Sequence, residues 1–114
     1  MIYIASPYSH KNEHIMQERY EAVCSFCAQA TLRRDFVFSP IVHWHPIAQE
    51  HLLPRDAAWW SLYNEHMLKL ANQLWVLRLD GWMESEGILR EVKFAKANAI
   101  RISYFLKGGT KCTK

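Results

Sequence analysis

The stretch Leu74-Trp75-Val76-Leu77-Arg78-Leu79, running on through Asp80-Gly81-Trp82-Met83-Glu84-Ser85-Glu86-Gly87-Ile88-Leu89-Arg90-Glu91, decides how this chain folds. The apolar run from Leu74 to Leu79 reads as a buried strand. Beyond the turn, apolar residues recur at Ile88, Val92, Ala95 and Ala99, which is a helical spacing. A strand, a turn holding Gly81 and a Ser85 at the N-cap position describe a strand-to-helix connection at the C-terminal edge of a parallel sheet. Open α/β sheets bind ligands at that edge. The helix N-terminus there offers free N–H groups to an anion. Glu91 lies about one turn further in, its Cβ tilted back toward the same end, and Gly87 puts no side chain in its way. A carboxylate aimed into a ligand crevice is a candidate nucleophile or base. The plain alternative is a solvated helical Glu, a residue welcome in the early turns of a helix.

Working outward, Met1 to Ala5 forms a short apolar strand that Ser6-Pro7-Tyr8-Ser9 breaks. Residues 12–34 are helical in pattern, with Ile15, Arg19, Ala22, Phe26 and Ala30 near one stripe. Asp35 takes the place of a left-handed C-cap. Phe36-Val37-Phe38 is a second strand, ended by Ser39-Pro40. Residues 41–56 read as a long irregular connection holding His43, His45, Pro46, His51 and Pro54, and a connection of that length in a small domain is usually functional. A helix follows over residues 57–72, then the strand and helix described above, then a last strand from Ile100 to Phe105. Strands alternating with helices predict an α/β domain of three layers over residues 1–106, with four parallel strands. Residues 107–114, rich in Gly and Lys, are expected to fray as a flexible tail.

The residues Tyr3-Ile4-Ala5-Ser6-Pro7-Tyr8, Phe38-Ser39-Pro40-Ile41 and Asp80-Gly81-Trp82 with Ser85, Gly87 and Glu91 form an ordered set. In that set the chain resembles the nucleoside 2-deoxyribosyltransferase superfamily, which includes deoxynucleoside-monophosphate N-glycosidases, and most closely a compact branch of it. The resemblance runs from Met1 to about Tyr104. It implies a flavodoxin-like, Rossmann-like sheet of order 2-1-3-4. It also implies that Glu91 attacks the anomeric carbon of a sugar, that Ser85 contacts a substrate phosphate, and that Tyr3 lies near Glu91. Related enzymes complete their sites with a neighbouring subunit, so the resemblance further implies a homo-oligomer.

With that strand order, the first loop and the Glu91 turn meet at the topological switch point, where a ligand is expected. Ser6, Pro7 and Tyr8 are then candidate substrate contacts, with His43 and His45 from the long connection. Tyr3 is either a partner for the Glu91 carboxylate or a core aromatic. Asp80 either bonds a sugar hydroxyl and assists proton transfer, or caps its turn. Trp82 either covers a ligand or packs, and of Trp59 and Trp60 one is expected buried and one exposed. Ser85 and Gly87 complete the candidate set. Many relatives carry acids on the second helix, where this chain has Asn64 and Asn72. Asn bonds a base or ribose but is no general acid at neutral pH, which puts leaving-group protonation in doubt.

At 114 residues, half of them hydrophobic, the chain is one domain with a substantial core. Its net charge of +3 and pI near 8.8 suit a small anionic ligand. The basic residues are scattered, without the dense stripe of a nucleic-acid groove. No apolar run is long enough to span a bilayer, and Met1 leads into a strand with no basic leader, so a cytoplasmic location is expected. Cys24 and Cys27 lie deep in a helical pattern and read as core residues rather than a redox pair, and Cys112 reads as an exposed thiol. Zinc on His43, His45 and His51 would need better-fixed spacing, so no metal and no organic cofactor is expected. The expected ligand is a small nucleoside or nucleotide. The expected activity is cleavage or transfer at its N-glycosidic bond; the alternative is a non-catalytic nucleotide-binding module of the same fold.

Overall fold

A computed structural model describes residues 1–113. The chain runs β1 (Ile2–Ala5), α1 (Glu13–Leu32), β2 (Val37–Phe38), α2 (Pro40–His51), α3 (Ala57–Lys69), β3 (Gln73–Leu77), a 3-10 turn (Trp82–Glu84), α4 (Glu86–Ala97) and β4 (Arg101–Phe105). The sheet has four strands in the order β2-β1-β3-β4, and every pairing is parallel. Fold class and strand order are those expected.

Period-two alternation along the strands sorts the core into two layers. Tyr3, Ala5, Leu74 and Val76 turn to one face and pack with Leu68 of α3 and with Ile88 and Ala95 of α4. Ile4, Trp75, Leu77 and Phe105 turn to the other, against Val23 and Phe26 of α1 and, more peripherally, Ile41 and Val42 of α2. Tyr3 therefore faces the helix that carries Glu91.

All four α-helices begin on a side-chain cap. Asn12, Ser39, Asp56 and Ser85 accept from the backbone N–H of His14, Val42, Trp59 and Ile88. Each such cap is worth about 1 kcal/mol. At the end of α1 the left-handed residue is Arg34 (φ 66°), one position before the expected Asp35. Between β3 and α4, Gly81 has φ 87°, and a Cβ there would lie 2.5 Å from Arg19 Nη2. Glycine is required at that turn both for the backbone and for the guanidinium that fills the space.

Two regions differ from the sequence reading. Most of the connection expected to be irregular is the helix α2, with Pro46 inside it. Ser39 and Pro40, read as the end of a strand, are also a helix start: a Ser N-cap followed by Pro at the first helical position. The ring of Pro46 removes one internal hydrogen bond without ending the helix. It ends instead at Leu52, left-handed at φ 55°, whose N–H returns to the Ala48 carbonyl. The second difference lies after β4. Leu106 N–H donates to Thr110 O and Cys112 N–H to Tyr104 O, so residues 107–113 turn back on the strand, bridged at Phe105 and Lys111. The turn at Gly109 (φ 94°) permits this return, and it leaves Cys112 half-buried rather than exposed. Lys114 of that expected tail lies outside the described residues.

No helix among the described residues is long and apolar enough to cross a membrane.

Candidate active site

A cavity of about 320 Å³ opens beside the C-terminal end of β1. Its walls come from the β1 loop (Ser6, Tyr8), α2 (Trp44, His45), the loop before α3 (Arg55), α3 (Trp60, Asn64) and the start of α4 (Ser85, Gly87, Glu91).

Glu91 is the chemical centre of this wall. It is only 7% exposed, and the Tyr3 hydroxyl donates to its Oε2. Burial pushes the Glu91 carboxyl up to about 8, and the hydrogen bond from Tyr3 pulls the other way by favouring the charged form. The Tyr3 phenol is itself raised well above its ordinary value, first by burial and then by the Glu91 charge. It therefore stays a donor at any ordinary pH. Gly87 stands one turn before Glu91, where a Cβ would meet only Ser85 Oγ and Ala57 at 3.8 and 3.9 Å.

Opposite, Tyr8 Oη lies 2.6 Å from His45 Nδ1, and His45 Nε2 lies 3.0 Å from Gln17 Oε1. Tyr20 stacks on the imidazole with centroids 4.2 Å apart. Burial, and then the Arg55 charge, hold His45 below its ordinary value, so the ring is neutral at neutral pH. Tyr8 is raised, by burial above all.

Among the described residues, the buried polar side-chain atoms without a partner are Ser6 Oγ, Trp44 Nε1, Asn64 Oδ1 and Arg78 Nε. The first three belong to residues of this cavity wall. A buried polar group left unpaired costs about 1–3 kcal/mol. Three of these four atoms gather at one cavity, where an entering ligand or solvent can pair them. The rim carries charge of both signs: Arg55, paired with Glu13 at 3.7 Å, and Glu84 and Glu86, the latter paired with Arg90 at 2.8 Å.

The match to known families falls on this same architecture. Residues 1–107 match the family model described as "Domain of unknown function (DUF1937)". The chain belongs to the DUF1937 family. No curated protein matches it.

In this DUF1937 domain the structure brings together Ser6, Tyr8, His45, Asn64, Ser85, Gly87 and Glu91 in the cavity wall, with Tyr3 bonded behind Glu91. It does not bring in the others. Asp80 is exposed, and its carbonyl takes a hydrogen bond from Arg19 at 3.1 Å beside a separate cleft on the far side of its turn. Trp82 packs on Tyr104 beneath the Arg78 guanidinium. Asn72 is spent on the N-terminus, its Oδ1 accepting from the Met1 ammonium at 2.5 Å. Pro7 is buried outside the cavity lining, and His43 is exposed with its ring edge against Trp44. Of the tryptophan pair, Trp59 is 54% exposed and Trp60 lines the cavity. His43, His45 and His51 share α2 but differ in burial, and no cluster able to hold a metal ion occurs among the described residues.

Trp44 and Arg55 were absent from the sequence-based set. Pro40, Ile41, Trp44, His45 and Ala48 follow a helical period, a signal readable once Ser39-Pro40 is taken as a helix start. Ala57, Trp60 and Asn64 show the same period on α3.

Proposed function

We propose that the protein cleaves or transfers at the N-glycosidic bond of a nucleoside or nucleotide, in a 2'-deoxyribo form, with Glu91 as nucleophile. The observation that carries this reading is a carboxyl group buried in the wall of a ligand-sized cavity and held by a tyrosine hydroxyl. The resemblance to nucleoside 2-deoxyribosyltransferases implies the nucleophile's role for Glu91 and a Tyr3 lying near it.

A Glu91 carboxylate oxygen forms a bond to the anomeric carbon as the glycosidic C–N bond breaks, and the bonding pair leaves with the base. The transition state is cationic at the sugar, so a carboxylate in a dry site stabilises it before any bond is complete. Tyr3 fixes which oxygen is free and keeps the carboxylate from needing water. Water then attacks the glycosyl-enzyme to complete a hydrolase cycle; a second base completes a transferase cycle. Trp44 and Trp60 offer flat apolar surface to a base, and the resemblance gives Ser85, at the α4 N-terminus, to a 5'-phosphate where the substrate has one. The assay is chromatographic: release of free base from a panel of deoxynucleosides and their monophosphates, with and without an acceptor base. Loss of release in Glu91→Gln supports the reading, and full activity in that variant contradicts it.

One observation favours a second reading, a binding module without catalysis. A carboxyl raised to about 8 is mostly protonated at neutral pH, and Asn64 lines the cavity where the resemblance to deoxyribosyltransferases implies an acid. A protonated Glu91 donates a hydrogen bond to a ligand instead of attacking it. Strong thermal stabilisation by a nucleotide that is never turned over would favour this module.

A further inference from the structure

The reading above leaves the Tyr8–His45 pair without a task, and the hydrogen-bond chain behind it dictates what it can do. Gln17 Nε2 donates to Glu21 Oε2 at 3.0 Å, because a carboxylate only accepts. Gln17 therefore turns its amide oxygen to His45, and that oxygen, 3.0 Å from Nε2, also only accepts. His45 Nε2 must carry the hydrogen. On a neutral ring this leaves a lone pair on Nδ1, which takes the Tyr8 hydroxyl proton across 2.6 Å. The Tyr8 oxygen is left with its proton committed to the histidine and its own lone pairs free, on a residue that lines the same cavity as Glu91.

We propose that Tyr8, backed by His45, is the proton acceptor for the incoming nucleophile in the second half of the reaction. The proposal rests on the glycosidase reading. Water loses a proton to Tyr8 Oη as Tyr8 passes its own to His45 Nδ1. The water oxygen bonds to the anomeric carbon, and the bond from that carbon to Glu91 breaks with its electrons returning to the carboxylate. The site is left with a carboxylate and an imidazolium. In the next turnover the imidazolium returns its proton through Tyr8 to the departing base, which is the proton that Asn64 cannot supply. Tyr8 is thus the catalytic residue of the pair, and His45 positions its hydroxyl and stores the proton.

The surroundings permit the shuttle. Gln17 and Tyr20 of α1 hold the ring by hydrogen bond and stacking. Arg55 opposes a charge on His45 and favours negative charge on Tyr8, while Glu13 of α1, paired with Arg55 at 3.7 Å, acts on Tyr8 in the opposite sense. Glu84, Glu86 and Glu91 line the same cavity. Glu91 is an uncharged ester in the intermediate and a carboxylate afterwards, so its release favours the imidazolium as it forms.

The test uses Tyr8→Phe, which keeps the ring and removes only the half-buried hydroxyl. The substrate is p-nitrophenyl 2-deoxyriboside, whose leaving group departs without a proton. The expected result is a stoichiometric burst of nitrophenolate followed by turnover ~100- to 10,000-fold slower than wild type. The sugar should accumulate on Glu91, and azide, a nucleophile that needs no base, should restore the rate. His45→Gln should shift the pH profile in the same assay. Undiminished turnover by Tyr8→Phe overturns the proposal, as does a slow variant without accumulated intermediate or azide rescue, which marks a packing role. An active wild type with an inactive Glu91→Gln and an unaffected Tyr8→Phe removes the pair alone. A wild type inactive on this substrate and on every deoxynucleoside and monophosphate removes the glycosidase reading and the proposal with it.

Discussion

Tyr3 and Glu91 stand 88 residues apart in the chain, and the phenol of one donates to the carboxyl of the other in the buried layer between β1 and α4. A β-strand that turns alternate residues to α4 makes this contact, and it places the least hydrated carboxyl of the cavity wall under the control of a single hydroxyl.

The first consequence is a pH-dependent cost. Folding raises the Glu91 carboxyl from 4.5 to about 8, so between those values the native state holds a proton that the unfolded chain releases. Stability attributable to this group is greatest below about 4.5 and falls as pH rises to about 8. At about 1.4 kcal/mol per unit, the loss is on the order of a few kcal/mol. Glu91→Gln cannot ionise. Denaturant unfolding at pH 5 and pH 8 should therefore show wild type losing more stability than the variant across the interval. Equal losses would mean that the carboxyl is not held in its neutral form.

Tyr3→Phe acts in the opposite sense to relieving burial. The lost hydroxyl was the one contact favouring the charged carboxylate, so the Glu91 value should move further up. If Glu91 acts ionised, the rising limb of the activity profile moves to higher pH, with kcat reduced at neutral pH. A profile that keeps its midpoint while kcat falls would assign Tyr3 to packing alone.

Two glycines on the same connection should respond differently to alanine. Gly81→Ala forces a Cβ to 2.5 Å from Arg19 Nη2 at a left-handed φ, and should lower stability by roughly 1–2 kcal/mol. Gly87→Ala meets only ordinary contacts in a helical turn and should be neutral or slightly stabilising. A larger Gly87→Leu should leave the melting temperature nearly unchanged while raising KM, because the side chain enters the cavity. Thermal melts and steady-state kinetics read both effects.

Ser39→Ala removes the cap that starts α2, the helix presenting Trp44 and His45 to the cavity. About 1 kcal/mol of stability should be lost. Ligand affinity should fall with it, since both wall residues ride on that helix. A variant with the stability loss but unchanged affinity would show that Tyr8 and Gln17 hold the wall without the cap.

The β3–α4 connection was readable because its signals agree: an apolar run, Gly81 for a tight turn, a Ser85 cap and a helical period ending on a buried face. The parallel sheet followed from the alternation of such units. Residues 40–51 were not readable in the same way because two meanings compete there: Ser39-Pro40 both stops a strand and starts a helix, and Pro46 argues against the helix that forms. Hiding that helix also hid the period that brings Trp44 to the cavity. Asp80 looked like a crevice residue because it follows a strand, but the tight turn at Gly81 and the carbonyl contact to Arg19 carry it to the other side. Asn64 and Asn72 look alike in sequence, and only the fold separates one in the cavity wall from one that holds the N-terminus.

The most direct measurement is the mass of the intact protein after incubation with 2'-fluorinated deoxynucleosides and their monophosphates, whose fluorine slows release of a glycosyl-enzyme. The account predicts that one of them adds a single sugar, that peptide mapping places it on Glu91, and that Glu91→Gln stays unmodified. Base release from the parent substrate with no adduct, or an adduct on another residue, would contradict it.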